Sequence, residues 1–121
     1  MERRLAAILA ADVVGYSKLM GEDEAGTLDA LRHLRRELLP PIVAGHSGNV
    51  IKSMGDGWLI EFRSAGDAAT CAIELQLALD KQERIILRLG LHVGDVTFED
   101  EDIFGDGVNI AAVRHQNIWD V

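Results

Sequence analysis

Two aspartates stand at the ends of stretches that have the pattern of buried strands. Asp12 closes the apolar run of residues 5–11, and Asp56 lies in Gly55-Asp56-Gly57, between two short alternating stretches. Two carboxylates brought together repel each other unless a cation lies between them, and one or two carboxylates are the usual protein ligands of Mg²⁺. These residues could therefore bind divalent metal, provided that the fold places them side by side.

The hydrophobic pattern predicts the element order β-α-β-β-α-β. A short apolar stretch over residues 5–14 and alternation over residues 49–54, 58–62 and 85–93 predict strands. Asp-Gly between two alternating stretches is a strong hairpin signal. The predicted first helix, bent at Pro40-Pro41, carries Leu28, Leu31, Leu34, Leu38 and Ile42 at helical spacing, and the second follows the N-cap Ser64 with Ala68, Cys71, Ala72, Leu75 and Leu79.

This order, with right-handed crossovers, predicts an α/β (α+β) domain with a ferredoxin-like βαββαβ core, in which helices pack on an antiparallel sheet. The third strand then lies between the first two, so the end of the first strand meets the hairpin turn. Asp12 and Asp56 would share one rim of the sheet and bind metal. The alternative is that Asp12 caps the turn at Gly15 and that Asp56 is only the favoured hairpin residue. For the pair together, the strand order favours the metal.

The first predicted strand runs through Gly15 into a short helix that begins near Tyr16 and Ser17. Backbone amides at the N-terminus of such a helix can bind a phosphate, so these three residues are candidate substrate-binding residues. Towards the other end of the chain, an acidic loop over residues 99–102 precedes a last short helical segment that starts near Val108.

Length, charge and cysteine content limit the classes of function. The 121 residues fit one domain, so we expect a single domain over residues 1–121. Twenty acidic residues against twelve Lys and Arg give a net charge of −8, which argues against nucleic-acid and membrane partners. A single cysteine, Cys71, and an N-terminus without a signal-peptide pattern indicate a cytoplasmic protein.

Four ordered motifs resemble the class III adenylate/guanylate cyclase catalytic domain, over a stretch that runs from Arg4 to about Ala112. They are Ala11-Asp12-Val13-Val14-Gly15-Tyr16-Ser17, Lys52-Ser53-Met54-Gly55-Asp56-Gly57, Leu89-Gly90-Leu91-His92-Val93-Gly94-Asp95 and Asp102-Ile103-Phe104-Gly105-Asp106-Gly107-Val108-Asn109-Ile110-Ala111-Ala112. Any one motif could arise by chance, whereas the ordered set is specific.

The resemblance implies a head-to-tail homodimer, or pairing with another cyclase domain, with sites between the subunits. It implies that Asp12, Asp56 and the backbone carbonyl of Val13 hold two Mg²⁺ or Mn²⁺ ions. Lys52 and Asp102 of the other chain would bind the purine, a pair that matches the adenylate cyclase pattern, and Asn109 would orient the ribose. The implied reaction is attack of the ribose 3′-oxygen of ATP on the α-phosphorus, which yields 3′,5′-cyclic AMP and pyrophosphate.

The sequence departs from the family four residues after Asn109. The family has an arginine there that neutralises charge on the transferring phosphate, and this chain has Val113. Arg114, one residue later and about 100° further round an α-helix, is the shifted candidate for that catalytic role. Because residues 115–121 match nothing typical of the family, we expect a cyclase domain that is incomplete at its C-terminus.

Three alternative functions remain open at this stage. Val113 favours a catalytically impaired cyclase remnant that acts as a nucleotide-binding or dimerising regulatory module. A diguanylate cyclase of the GGDEF type could use the same scaffold, although residues 54–58 lack its signature hairpin. The third alternative is a purely structural interaction domain.

Overall fold

Strands and helices follow one another in the order that the sequence predicts. The computed structural model describes residues 2–80, 84–99 and 102–104. Its elements are β1 (Glu2–Val13), α1 (Tyr16–Glu22), α2 (Glu24–His33), a π-helical turn (Leu34–Leu38), α3 (Leu39–Gly45), β2 (Asn49–Met54), β3 (Gly57–Phe62), α4 (Ala65–Leu79), β4 (Leu87–Glu99) and β5 (Asp102–Phe104).

The strands of the described residues form one antiparallel sheet in the order β2-β3-β1-β4-β5. The third strand therefore lies between the first and the second, and the ferredoxin-like α+β arrangement is confirmed. One expectation about its edge was wrong. Asp102 begins a strand that pairs with the end of β4, whereas the acidic composition of residues 99–102 predicted a loop because Asp and Glu are poor strand formers.

The helices cover one face of the sheet and bury its main core. In β1 the odd-numbered residues Ala7, Leu9, Ala11 and Val13 contact this core, and the even-numbered residues Ala6, Ile8 and Ala10 form a smaller buried cluster on the other face. Because side chains alternate along a strand, Asp12 belongs to the opposite face, on which none of the described helices packs. The main core also contains Leu31, Leu34, Leu39, Ile42, Val43, Trp58, Ile60, Phe62, Ala68, Cys71, Leu75, Leu79, Ile85, Leu87 and Leu89.

The first long helix is interrupted where the sequence predicts a bend, but by a π-helical turn. Leu39 N donates to Leu34 O, a bond that spans five residues and widens the helix just before Pro40 and Pro41. Pro40 and Pro41 directly follow this turn, and because they have no N–H they cannot continue a regular α-helical hydrogen-bond ladder there. Leu39 is buried in the main core, and Leu38 is partly buried and packs against it.

The second long helix begins as predicted. Ser64 has extended backbone angles and its side chain accepts a hydrogen bond from Asp67 N, at 3.1 Å, which satisfies one of the free amides of the first turn of α4. In the first long helix, Leu28 shares the helical spacing of the other apolar residues but is 37% exposed. None of the described helices is both long and apolar enough to cross a lipid bilayer.

Candidate active site

Asp12 and Asp56 meet at one rim of the sheet. Asp12 lies directly opposite Gly57 in the β1–β3 ladder, next in sequence to Asp56. The amide of Val13 donates to the backbone carbonyl of Asp56 at 2.9 Å, so the ladder extends into the hairpin turn. The predicted juxtaposition of two aspartates that are far apart in sequence is therefore observed.

The hairpin turn lies one residue earlier than the Asp-Gly signal suggests. Met54 and Gly57 form the last pair of the β2–β3 ladder, so Gly55 and Asp56 are the two residues of the turn. Asp56 consequently stands at the tip of the hairpin and is partly buried, whereas Gly57 is buried within β3. The turn thus places Asp56 just beyond the end of the β2–β3 ladder.

Register places Lys52 on the same face of the sheet as Asp12. Leu59 pairs with Lys52 on one side and with Ala10 on the other, and residues directly opposite each other point to the same face. Ala10 precedes Asp12 by two residues on β1, so both lie on that face. The polar residues Asp12 and Lys52 therefore lie on the same face as the smaller buried cluster, opposite the described helices.

Arg88 is a neighbour of Asp12 that the sequence argument missed. It lies directly opposite Asp12 in the β1–β4 ladder, and its Nε is 3.4 Å from Asp12 Oδ1. The argument from repulsion assumed an unpaired Asp12 carboxylate, whereas this carboxylate is paired with Arg88. The alternation of residues 85–93 already indicated a half-buried strand, but only the register shows which of its residues faces Asp12.

The donor set fits a hard divalent cation. The Asp12 side chain is 36% exposed, so one side of the rim is open to water and to a ligand. In the part of the chain that the structure describes, no cluster of three or more His, Cys, Asp or Glu side chains could enclose a metal ion. Two carboxylates with open coordination positions suit Mg²⁺, which keeps water and takes phosphate oxygens, better than a metal that needs an all-protein cage.

The strand-to-helix connection after Asp12 is a tight left-handed turn. Gly15 has φ 64° and ψ 37° and directly precedes α1, so the predicted start of a helix near Tyr16 is confirmed. A residue with a side chain is disfavoured in this conformation, and a Cβ at Gly15 would meet no atom within 4 Å. Tyr16 packs against the main core, whereas Ser17 is exposed.

A solved structure shares this fold and much of the sequence. The crystal structure of an adenylate/guanylate cyclase/hydrolase from Silicibacter pomeroyi is 45% identical, with a TM-score of 0.86, over 96% of this chain and 72% of that one. The chain belongs to the class III adenylate/guanylate cyclase family.

Curated relatives of this cyclase domain are considerably longer proteins. A Rhizobium meliloti protein, provisionally named adenylate cyclase 3, is 50% identical over 119 residues, which cover 93% of this chain and 20% of the relative. An adenylate cyclase of Streptomyces griseus is 35% identical over 107 residues, which cover 84% of this chain and 26% of the relative. The chain therefore spans about a fifth to a quarter of the length of these relatives. No family model matches the sequence.

The two candidate purine-binding residues of the cyclase domain lie on the two edge strands of the sheet. Lys52 is exposed on β2, and Asp102 is the first residue of β5. Although these strands are at opposite ends of the hydrogen-bonded order, Cα atoms of β2 and β5 come within 8 Å of each other. Twisted sheets coil in this way, so the curvature brings the two edges together. Asn109 and Arg114 lie outside the described residues.

Proposed function

We propose that this cyclase domain converts ATP to 3′,5′-cyclic AMP and pyrophosphate, with two Mg²⁺ or Mn²⁺ ions held at Asp12 and Asp56. The observation that carries the proposal is that Asp12 lies beside the hairpin turn. Asp12 pairs with Gly57, and the amide of Val13 donates to the carbonyl of Asp56. Relatives that are named adenylate cyclases favour ATP over GTP as the substrate.

The chain's own residues would bind and orient the triphosphate. Asp12, Asp56 and the carbonyl of Val13 would hold the ions on the open rim. When bound, the ions supply charge neutralisation and a lowered pKa for the attacking ribose hydroxyl. No atom lies within 4 Å of the Cβ position of Gly15, and a phosphate bound there would be close to the amides of Tyr16 and Ser17.

The purine and the ribose would be bound by a second copy of the chain, or by another cyclase domain. Lys52 could donate a hydrogen bond to a ring nitrogen of adenine, and Asp102 could accept one from its amino group. The exposure of Lys52 and the approach of β2 to β5 support the proposal that Lys52 and Asp102 bind the purine on one surface. Asn109 would orient the ribose, and the proposed site is complete only between two subunits.

Cyclic AMP formation from ATP in the presence of Mn²⁺ tests the proposal. We expect product from the chain, less product from GTP, and a steeper than linear rise with protein concentration because two subunits are needed. Asp56→Asn should lower the rate at least about 100-fold, because loss of charge at a metal site removes several kcal/mol of transition-state stabilisation. Asp29→Asn, on the exposed face of α2, is the control and should keep the rate. Equal rates in the two variants would refute the assignment.

A regulatory module is the second candidate function, and Val113 is the observation that favours it. A chain of this kind would bind ATP with Mn²⁺ and form little product. Val113→Arg would then raise the rate, by about 10³-fold if it restores a charge comparable to an arginine finger. No product from either chain, together with no nucleotide binding, would instead indicate a structural domain.

A further inference from the structure

Arg35 connects the helical layer to the hairpin turn that carries Asp56. Its Nη2 donates to the backbone carbonyl of Gly55 at 3.0 Å. Its guanidinium also lies over the ring of Trp58, with Cζ 5.9 Å from the ring centroid, which is within the range of a cation–π contact. Trp58 is 1% exposed, so the Arg35 guanidinium packs on a ring that the core holds in place.

Arg35 lies in the π-helical turn of the first long helix. Arg35 is the second residue of that turn and follows Leu34, which is fully buried in the main core. The wide turn, closed by the bond from Leu39 N to Leu34 O, changes the direction of the side chains on its surface relative to a regular α-helix. Helical turns of this kind occur often at functional sites.

Two successive carbonyl groups of the hairpin turn are held by different elements. Arg35 binds the carbonyl of Gly55 from the helical layer, and the amide of Val13 binds the carbonyl of Asp56 from β1. The two peptide planes on either side of the Asp56 Cα are therefore each held by a hydrogen bond. The same β1 residue follows Asp12, so the two aspartates are fixed relative to each other.

We propose that Arg35 is a positioning residue for the metal site, acting through the turn of Gly55 and Asp56. The inference rests on the proposed function, because it assumes that Asp56 binds a divalent cation. Arg35 touches neither the metal nor the nucleotide in this role. A lysine could supply the charge but not the planar group that stacks on Trp58 while it donates to Gly55. Arg35→Lys should therefore resemble Arg35→Ala.

Mn²⁺ binding, measured on the chain by electron paramagnetic resonance, is the first test. Partners that orient a metal ligand usually change affinity 10- to 100-fold, so we expect Arg35→Ala and Arg35→Lys to weaken binding at least about tenfold. Arg36→Ala removes an exposed arginine from the same turn and should stay within about twofold of the parent chain. Unchanged Mn²⁺ affinity in Arg35→Ala would overturn the proposal.

Amide hydrogen exchange separates this proposal from the proposed function. We expect the Val13 amide, which bonds to Asp56, to exchange at least about tenfold faster in Arg35→Ala, with the Ile60 amide in the centre of the sheet unchanged. A parent chain without Mn²⁺ affinity would refute the metal site, and exchange would still decide whether Arg35 holds the turn. Equal acceleration at Val13 and Ile60 would mean a general loss of stability and would overturn the positioning role.

Discussion

Arg88 alters the electrostatic surroundings in which Asp12 would meet a cation. The pair is long, at 3.4 Å, and about a third of each side chain is exposed. Ion pairs of this kind contribute about 0–1 kcal/mol, which is far less than a divalent cation gains from two carboxylates and a triphosphate. Arg88 would therefore restrain Asp12 without preventing the proposed binding of metal.

The Cys71 thiol should react slowly in the folded chain. Burial within α4, reinforced by the nearby Glu74 carboxylate, raises the pKa of the Cys71 thiol from 9.0 to about 11. At pH 8 this shift lowers the thiolate fraction about 100-fold, and burial blocks access in addition. We expect the native chain to react with a thiol reagent at least about 100-fold more slowly than the chain unfolded in guanidinium. Equal rates would show that α4 does not bury this side chain.

The same shift predicts a pH dependence of stability. Because the pKa of Cys71 is higher in the folded chain, the unfolded chain loses its thiol proton first as the pH rises. The contribution of this thiol to the free energy of unfolding is fully present below pH 9 and is lost between pH 9 and about 11. A Cys71→Ala chain should show a smaller fall in the free energy of unfolding over this range, and an identical fall would contradict the assignment.

At the scale of elements, the connection from α3 to β2 depends on a glycine. A Cβ on Gly48 would lie 2.5 Å from Cε1 of Phe62 and 2.8 Å from Cγ1 of Val43. Gly48→Ala should therefore lower the free energy of unfolding by about 1–3 kcal/mol, as overpacking of a core does. Gly45→Ala is the matched control, because a Cβ there meets no atom within 4 Å. Chemical denaturation of both variants tests this, and equal stabilities would contradict the packing.

The elements that the sequence predicts well are those with local signals. The N-cap Ser64 and the hairpin at Gly55-Asp56 are fixed by contacts within a few residues, and both are found within one residue of their predicted places. The π-helical turn and β5 lack such signals. Pro40-Pro41 predicts a bend in the first long helix but not that the bend is a π-helical turn, and β5 arises from pairing with the end of β4.

At the scale of the whole molecule, the strand order accounts for the candidate site. It makes β1 and β3 neighbours, so Asp12 and Asp56 could be predicted to meet before any coordinates were known. The contacts of Arg88 and Arg35 could not be predicted in this way. A strand order does not fix the register between β1 and β4, and a regular helix pattern does not locate a π-helical turn. The roles of Lys52 and Asp102 remain predictions from the family resemblance.

Binding of Mn²⁺ in the presence of ATP tests the central claim most directly. We expect the parent chain and Asp29→Asn to bind Mn²⁺ with the same affinity. Asp12→Asn and Asp56→Asn should each weaken binding at least about tenfold, since each removes a charged ligand from the same ions. The double variant should show less than the sum of the two losses, because the two carboxylates act together. Wild-type Mn²⁺ affinity in both single variants would contradict the claim that this rim of the sheet binds the metal.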